Sequence, residues 1–410
     1  MKNYNKNVIL ILLDAFRGDY INKNDTPNIF KLSKKSEYIS SLRPSFGFCE
    51  RTEILTGKSS KETGYFTAIA YDPINSPYKD YKNSLIFFSA LESIFRLQIF
   101  KKIIRRIFWE IFKNREATFY PFNIPFNDLS NLSLTEDGVN NLIENSDDSI
   151  YKKAQGVFKD ATTDMSSPLK GDDKYRLNLV LDNLKNTNFQ FYPIYVSRMD
   201  SIGHQYGPNS DIARSSLKYI DKLIIDFINA AQEIDEDCVL VLCGDHGMTD
   251  VTNKINLEKS LIKIKKDNNS LANFNYFLDS TIARFWFNEN QEQNAKTLSK
   301  IIDNQFNKFG KSILLEDFEN NDIPKSRKYG DLVFICNPGT IISPDFFNLK
   351  SDIRGMHGYK TFEESTYGFC ITLSKNTATS MQEGPLPLTH VHSIISKHLY
   401  DVSDPISNER

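Results

Sequence analysis

The sequence predicts an α/β protein: a doubly wound, mostly parallel sheet, interrupted by an inserted cap and by a small α/β insertion. Two observations carry that expectation. Three apolar runs, Val8 to Leu13, Tyr192 to Val196 and Cys238 to Cys243, read as strands buried on both faces. Between the last two, Ile212, Leu217, Ile220, Leu223, Ile224 and Phe227 recur at helical spacing within Ser210 to Ala231. Strands and helices alternating in this way build a parallel sheet with helices on its faces.

The first core part is read as residues 1–80 and opens with the Val8 to Leu13 strand, which ends in Asp14. An inserted cap spans 81–175, with a long aromatic and basic helix followed by an Asn- and Ser-rich stretch. The core resumes over 176–262, where one strand leads into Arg198-Met199-Asp200 and the next into Gly244-Asp245-His246-Gly247. Residues 263–345 begin with a polar run and contain the short strand candidates Ile282 to Phe287 and Leu332 to Ile335, a small α/β insertion. The core closes over 346–410 with a helix near His392 to Tyr400. Each core strand thus delivers an acid at its carboxyl end, where α/β proteins place their sites.

Composition narrows the function classes. Of 410 residues, 40% are hydrophobic, 25% charged and 12% aromatic, which excludes disordered and collagen-like chains. Fifty Lys and Arg face 52 Asp and Glu, a net charge of -2, so no global basic field exists to bind a nucleic-acid duplex. The five cysteines stand singly without a CxxC pair, which suggests neither a zinc ribbon nor a disulfide framework and leads us to expect reduced thiols in the cytoplasm. The first apolar run is too short for a signal peptide, and no 18-residue apolar stretch occurs, so neither Sec export nor a membrane span is expected.

The chemistry is written in a scattered set of Asp and His residues beside glycines. Asp14 follows the first strand; Asp200 and His204 occur as DSIGH; Asp245 and His246 as GDHG; His357 as GMHGY. Only six histidines exist, and three fall in these turns. Carboxylate and imidazole are the donors that suit zinc and similar divalent ions, and two sites of three protein ligands can be assembled from this inventory. Any one of these motifs alone is more often a turn or a helix cap; their joint order is what speaks for a metal pair.

In that order the motifs resemble the alkaline phosphatase superfamily, on its nucleotide pyrophosphatase/type I phosphodiesterase branch. LLDAFRGDY followed by TPNIFKLSKKS is similar to that branch's opening, MDSIGHQYGPNS to its Asp-x-x-Gly-His-x-x-Gly-Pro motif, VLVLCGDHGM to its Asp-His-Gly-Met strand end and RGMHGY to its last His turn. The matches run from Asn7 to Tyr359. The resemblance implies an alkaline phosphatase-like core and two divalent ions, zinc with manganese as the alternative. It implies that Asp200, His204 and His357 hold one ion and that Asp14, Asp245 and His246 hold the other.

At the nucleophile the sequence departs from the family. Relatives carry a Thr, Ser or modified Cys ten residues before the Gly of a Leu-x-Thr-Gly segment, here Gly57, and that count reaches Gly47. Ser45, Cys49 and Thr52 are the nearby groups with a nucleophilic atom. Cys49 is the preferred candidate, since a thiolate is favoured beside metal ions, at a helix start and near Arg51. Arg51 itself falls where the sulfatase branch carries the Arg of its Cys-x-Pro-Ser-Arg motif, a cation for the bound anion. A buried structural Cys49 and direct attack by a metal-activated water remain open beside this. Arg17 and Lys58 are further candidate cations.

These readings converge on a metal-dependent hydrolase of phosphodiester or phosphoanhydride bonds. A sulfatase or phosphotransferase of the same superfamily, or a non-catalytic metal-binding member, is the alternative. Its substrate is expected to be a phosphate ester, nucleotide or lipid-linked. Ile99 to Lys113 forms a helix with an apolar and a cationic face, which either packs on the core or lies peripherally on an anionic membrane.

Overall fold

The structure is a computed structural model that describes residues 6–95, 97–115, 117–162, 169–268, 271, 273–347, 352–360, 364–375 and 378–400. Positions 401–410 of the expected last core part lie outside it. In chain order, the elements that position the site are β1 (Val8–Leu13), β2 (Glu37–Arg43), α1 (Glu50–Thr56), α2 (Lys82–Ile94), α3 (Gln98–Phe112), β3 (Phe191–Val196), α4 (Arg198–Tyr206), α5 (Asp211–Ile234) and β4 (Val239–Gly244). They continue with β5 (Phe274–Leu278), β6 (Ile282–Phe287), β7 (Gly310–Leu314), β8 (Leu332–Cys336), β9 (Gly368–Leu373) and α6 (His390–Tyr400).

β1 is apolar at every position because both its faces are covered. Ile9, Ile11 and Leu13 point to a layer built by α5 through Leu217, Ile220, Ile224 and Phe227. Val8, Leu10 and Leu12 point the other way, to Ile54 and Leu55 of α1 and to Val391, Ile394 and Ile395 of α6. The period-two alternation of a strand thus serves two apolar clusters rather than one apolar and one wet face.

The main sheet has seven strands, with β1 between β3 and β4 and parallel to both. Leu13 is in register with Val196 on one side and Gly244 on the other. All three strands therefore stop at one level, and Asp14, the α4 residues and Asp245 leave the sheet along a single edge. β9 runs antiparallel beside β4 and β2, so the sheet is mixed, with the parallel run β4-β1-β3 at one end of it. Pro193 lies in β3, the outermost strand of this run, where its missing N–H costs no ladder bond.

A second sheet, ordered β7-β8-β6-β5, is antiparallel. Its apolar face shares one cluster with Leu85 and Phe88 of α2 and with Ile104, Phe108 and Phe112 of α3. The helix Glu136–Asn145 packs elsewhere, with Val139 and Ile143 against α1 and the main sheet.

Candidate metal centre

The first acid and histidine group stands on α4 and a late turn. Asp200 and His204 are four apart, one helical turn, so both project from one face. The strand pair Thr249–Asp250 and Gly355–Met356 brings His357 alongside. Nδ1 of His204 lies 2.9 Å from the Gly355 carbonyl, which draws the ring proton there and leaves Nε2 as a lone-pair donor. That Nε2 is 3.1 Å from Oδ1 of Asp200, and Nε2 of His357 is 3.6 Å from the same oxygen.

The second group stands on the ends of β1 and β4. Oδ1 of Asp245 accepts from the backbone N–H of Ala15 at 3.2 Å and of His246 at 2.8 Å, which fixes the carboxylate. Nδ1 of His246 lies 2.8 Å from the Gly247 carbonyl, and its Nε2 is 3.1 Å from Oδ1 of Asp14. Tyr195 donates its hydroxyl to the other Asp14 oxygen. The rings of His246 and His357 stack at 4.1 Å, so the two groups adjoin.

Three observations fit this arrangement to a pair of cations. Within each group the ligand atoms lie within 4.8 Å of one another. Oδ1 of Asp200 and Nδ1 of His357 are buried without a hydrogen-bond partner, although such groups normally find one. Burial, aided by Asp14 and Glu50, pushes the Asp245 carboxyl up to about 8, and burial with Asp200 nearby raises Asp14 as well. Clustered buried carboxylates of this kind are stabilised by a multivalent cation.

The nucleophile region differs from the sequence expectation. Cys49 is buried, its thiol donates to the Tyr65 carbonyl at 2.9 Å, and burial together with Glu50 and Glu53 pushes it well above the usual thiol range. Each of these opposes the thiolate that attack would need. Ser45 is bonded to Glu53, its hydroxyl at 2.5 Å and its N–H at 2.9 Å. Arg51 lines the same cavity as the metal groups and donates to Oδ1 of Asn140 at 2.6 Å. Arg17 is bonded to Asp19 and to the Met248 carbonyl, and Lys58 pairs with Asp148 at 2.8 Å.

Gly47 also has a structural reason to lack a side chain. Its φ is +115°, and a Cβ there would lie 2.4 Å from the Phe66 carbonyl oxygen and 2.7 Å from the Phe66 ring. Gly47→Thr is therefore expected to lower stability by about 3 kcal/mol, measured by denaturant unfolding, and to give no phosphorylated protein.

The residue that the sequence reading missed is Glu50, the first residue of α1. Its charge acts on Asp14, Asp245 and His246. Two cavities meet at it. One, of about 480 Å³, is lined by Cys49, Arg51, Asp14, Asp200, Asp245, His246 and His357; the other, of about 380 Å³, by Arg43, Gly47, Lys61, His246 and Lys360. Glu50 and His246 line both.

The strand-edge site and the paired acid and histidine groups define an α/β protein with a candidate two-metal centre. The chain belongs to the type I phosphodiesterase/nucleotide pyrophosphatase family, whose model matches residues 8–360. It is 24% identical over 260 residues to an uncharacterized pyrophosphatase/phosphodiesterase of Schizosaccharomyces pombe, covering 60% of this chain and 45% of that protein. It is 26% identical over 250 residues to human ectonucleotide pyrophosphatase/phosphodiesterase family member 1, covering 58% of this chain and 23% of that one. A shorter stretch of 59 residues, 13% of this chain and 8% of the relative, is 44% identical to GPI ethanolamine phosphate transferase 2 of S. pombe. The matched stretches span less than half the length of these curated relatives. The fold matches murine ectonucleotide pyrophosphatase/phosphodiesterase 5, in an inactive variant complexed with AMP, at a TM-score of 0.65 and 16% identity, covering 99% of this chain and 97% of that one.

Proposed function

We propose that this chain hydrolyses a phosphodiester or phosphoanhydride at a centre of two zinc ions. The observation that carries this reading is the pair of cavities meeting at Glu50 and His246. A diester or anhydride bears a substituent on each side of the reacting phosphorus, and a cavity on each side takes one; a monoester needs only one. Arg43, Lys61 and Lys360 on the smaller cavity suit a substituent carrying further negative charge. A nucleotide is therefore the first substrate to try, in keeping with the AMP bound to the murine relative. The partial likeness to an ethanolamine phosphate transferase favours a lipid-linked ester as the second, with an alcohol in place of water as acceptor.

The donor set of carboxylates and imidazoles suits zinc, and such ions supply charge neutralisation at the phosphoryl oxygens and acidify bound water. Asp14, Asp245 and His246 would hold one; Asp200, His204 and His357 would hold the other. Gly47 offers no attacking atom, so water attacks: its oxygen bonds to phosphorus, the bond to the leaving oxygen breaks, and Glu50 takes the proton and returns it to the leaving group. Arg51 sets positive charge on the cavity wall. The five buried free cysteines support a reducing compartment, the cytoplasm.

The test is relative turnover. Bis-p-nitrophenyl phosphate should exceed p-nitrophenyl phosphate and p-nitrophenyl sulfate in kcat/KM by at least about tenfold, roughly 1.4 kcal/mol. Equal or faster turnover of the monoester or the sulfate would overturn the diester reading.

A further inference from the structure

The α2–α3 hairpin buries one apolar side and leaves a second exposed. Ile104, Phe108 and Phe112 of α3 face the apolar cluster beneath, yet Ile99, Ile103, Ile107 and Ile111, each four residues apart, form a second stripe that is about half exposed. A stripe at spacing four holds to one side of a helix, displaced from the buried side. On α2, Ile86, Phe87 and Ile94 are exposed in the same way, Ile94 at 71%. At the turn between the helices the exposed rings of Phe95 and Phe100 meet at 5.5 Å, so the two stripes join. An exposed apolar area of this extent marks an interaction surface.

Charge decides the partner. From Lys82 to Arg115 there are eight basic and two acidic residues, in a chain whose net charge is -2. Both acids are engaged within the hairpin, Glu92 with Arg105 at 2.6 Å and Glu110 with Arg106 and Lys113. Lys102 and Arg106 are exposed beside the isoleucine stripe. A symmetric contact with a second copy would set this basic surface against itself. An anionic bilayer instead offers apolar chains to the stripe and negative headgroups to its flank.

We propose that the α2–α3 hairpin docks the protein on anionic membrane surfaces, with the apolar stripes entering the headgroup boundary. Among the described residues no helix is long and apolar enough to cross a membrane; the contact proposed is a peripheral one. The inference goes beyond the proposed reaction and does not depend on it.

The experiment is co-sedimentation of the full chain with vesicles of phosphatidylglycerol and phosphatidylcholine in equal parts, compared with phosphatidylcholine alone. Binding should favour the anionic vesicles and weaken as salt rises. The variant Ile103→Ser/Ile107→Ser/Ile111→Ser and the variant Lys102→Glu/Arg106→Glu should each bind at least about tenfold more weakly. Their melting temperatures should hold, because these side chains lie outside the core. Failure of the unaltered protein to pellet with anionic vesicles at low salt would overturn the proposal. So would a dimer in analytical ultracentrifugation that the triple isoleucine variant makes monomeric, which would show that a second copy covers the face.

Discussion

Replacing Asp245 by alanine should release at least one of two metal ions and cut turnover by at least about 10³-fold, a loss of roughly 4 kcal/mol in transition-state stabilisation. Asp245 stands at the end of β4, in register with β1 through Leu13 and Gly244, and two backbone N–H groups hold one of its oxygens. Removing the carboxylate leaves Asp14 and His246 to hold an ion with two donors, fewer than the three protein ligands typical of catalytic zinc. Asp245→Asn keeps the side chain's size and its ability to accept from Ala15 and His246, so it separates metal loss from misfolding. It should retain the melting temperature of the chelator-treated protein while losing metal and activity. Full metal content in Asp245→Asn would remove this residue from the ligand set.

Glu50→Gln should reduce kcat by about 10²- to 10⁴-fold, the usual range for loss of a proton-transferring group. Cys49→Ala should change it by less than about tenfold. The contrast follows from position. Glu50 borders both cavities and acts electrostatically on three of the expected ligands, whereas the Cys49 thiol is spent on the Tyr65 carbonyl. Metal content is the control, because Glu50→Gln could act by loosening an ion. With both ions retained, a fall in kcat assigns the loss to proton transfer. The converse result, with Cys49→Ala dead and Glu50→Gln near normal, would return the cysteine to the role first expected of it. Iodoacetamide labelling of Cys49 in step with inactivation would say the same.

Much of the site could be read from the chain because parallel strands make it local. Once Val8 to Leu13, Tyr192 to Val196 and Cys238 to Cys243 are read as neighbouring buried strands, their exits must share an edge, and Asp14, Asp200 and Asp245 follow. The helix expected over Ser210 to Ala231 is α5, and the one expected over Ile99 to Lys113 is α3. What the chain did not reveal depends on tertiary contact. Glu50 sits in no motif, and its importance comes from two cavities formed by distant segments. The setting of Cys49 depends on the Tyr65 carbonyl, sixteen residues away. In α3, apolar residues occupy so much of the circumference that periodicity cannot say which side is buried. Phe108 and Phe112 pack inward, while Ile107 and Ile111 remain exposed, because α2 and the second sheet cover only one side. Strands β5 and β7 went unread for a related reason: each is recognisable mainly by its antiparallel pairing with β6 or β8.

Two groups of three side chains are expected to hold two ions. Elemental analysis of protein purified without chelators, paired with anomalous diffraction from its crystals, tests it most directly. Close to two zinc ions per chain are expected, one among Asp14, Asp245 and His246 and one among Asp200, His204 and His357. Protein that carries no metal as purified, takes up none on addition of zinc or manganese, and shows no anomalous peak at either group would contradict it.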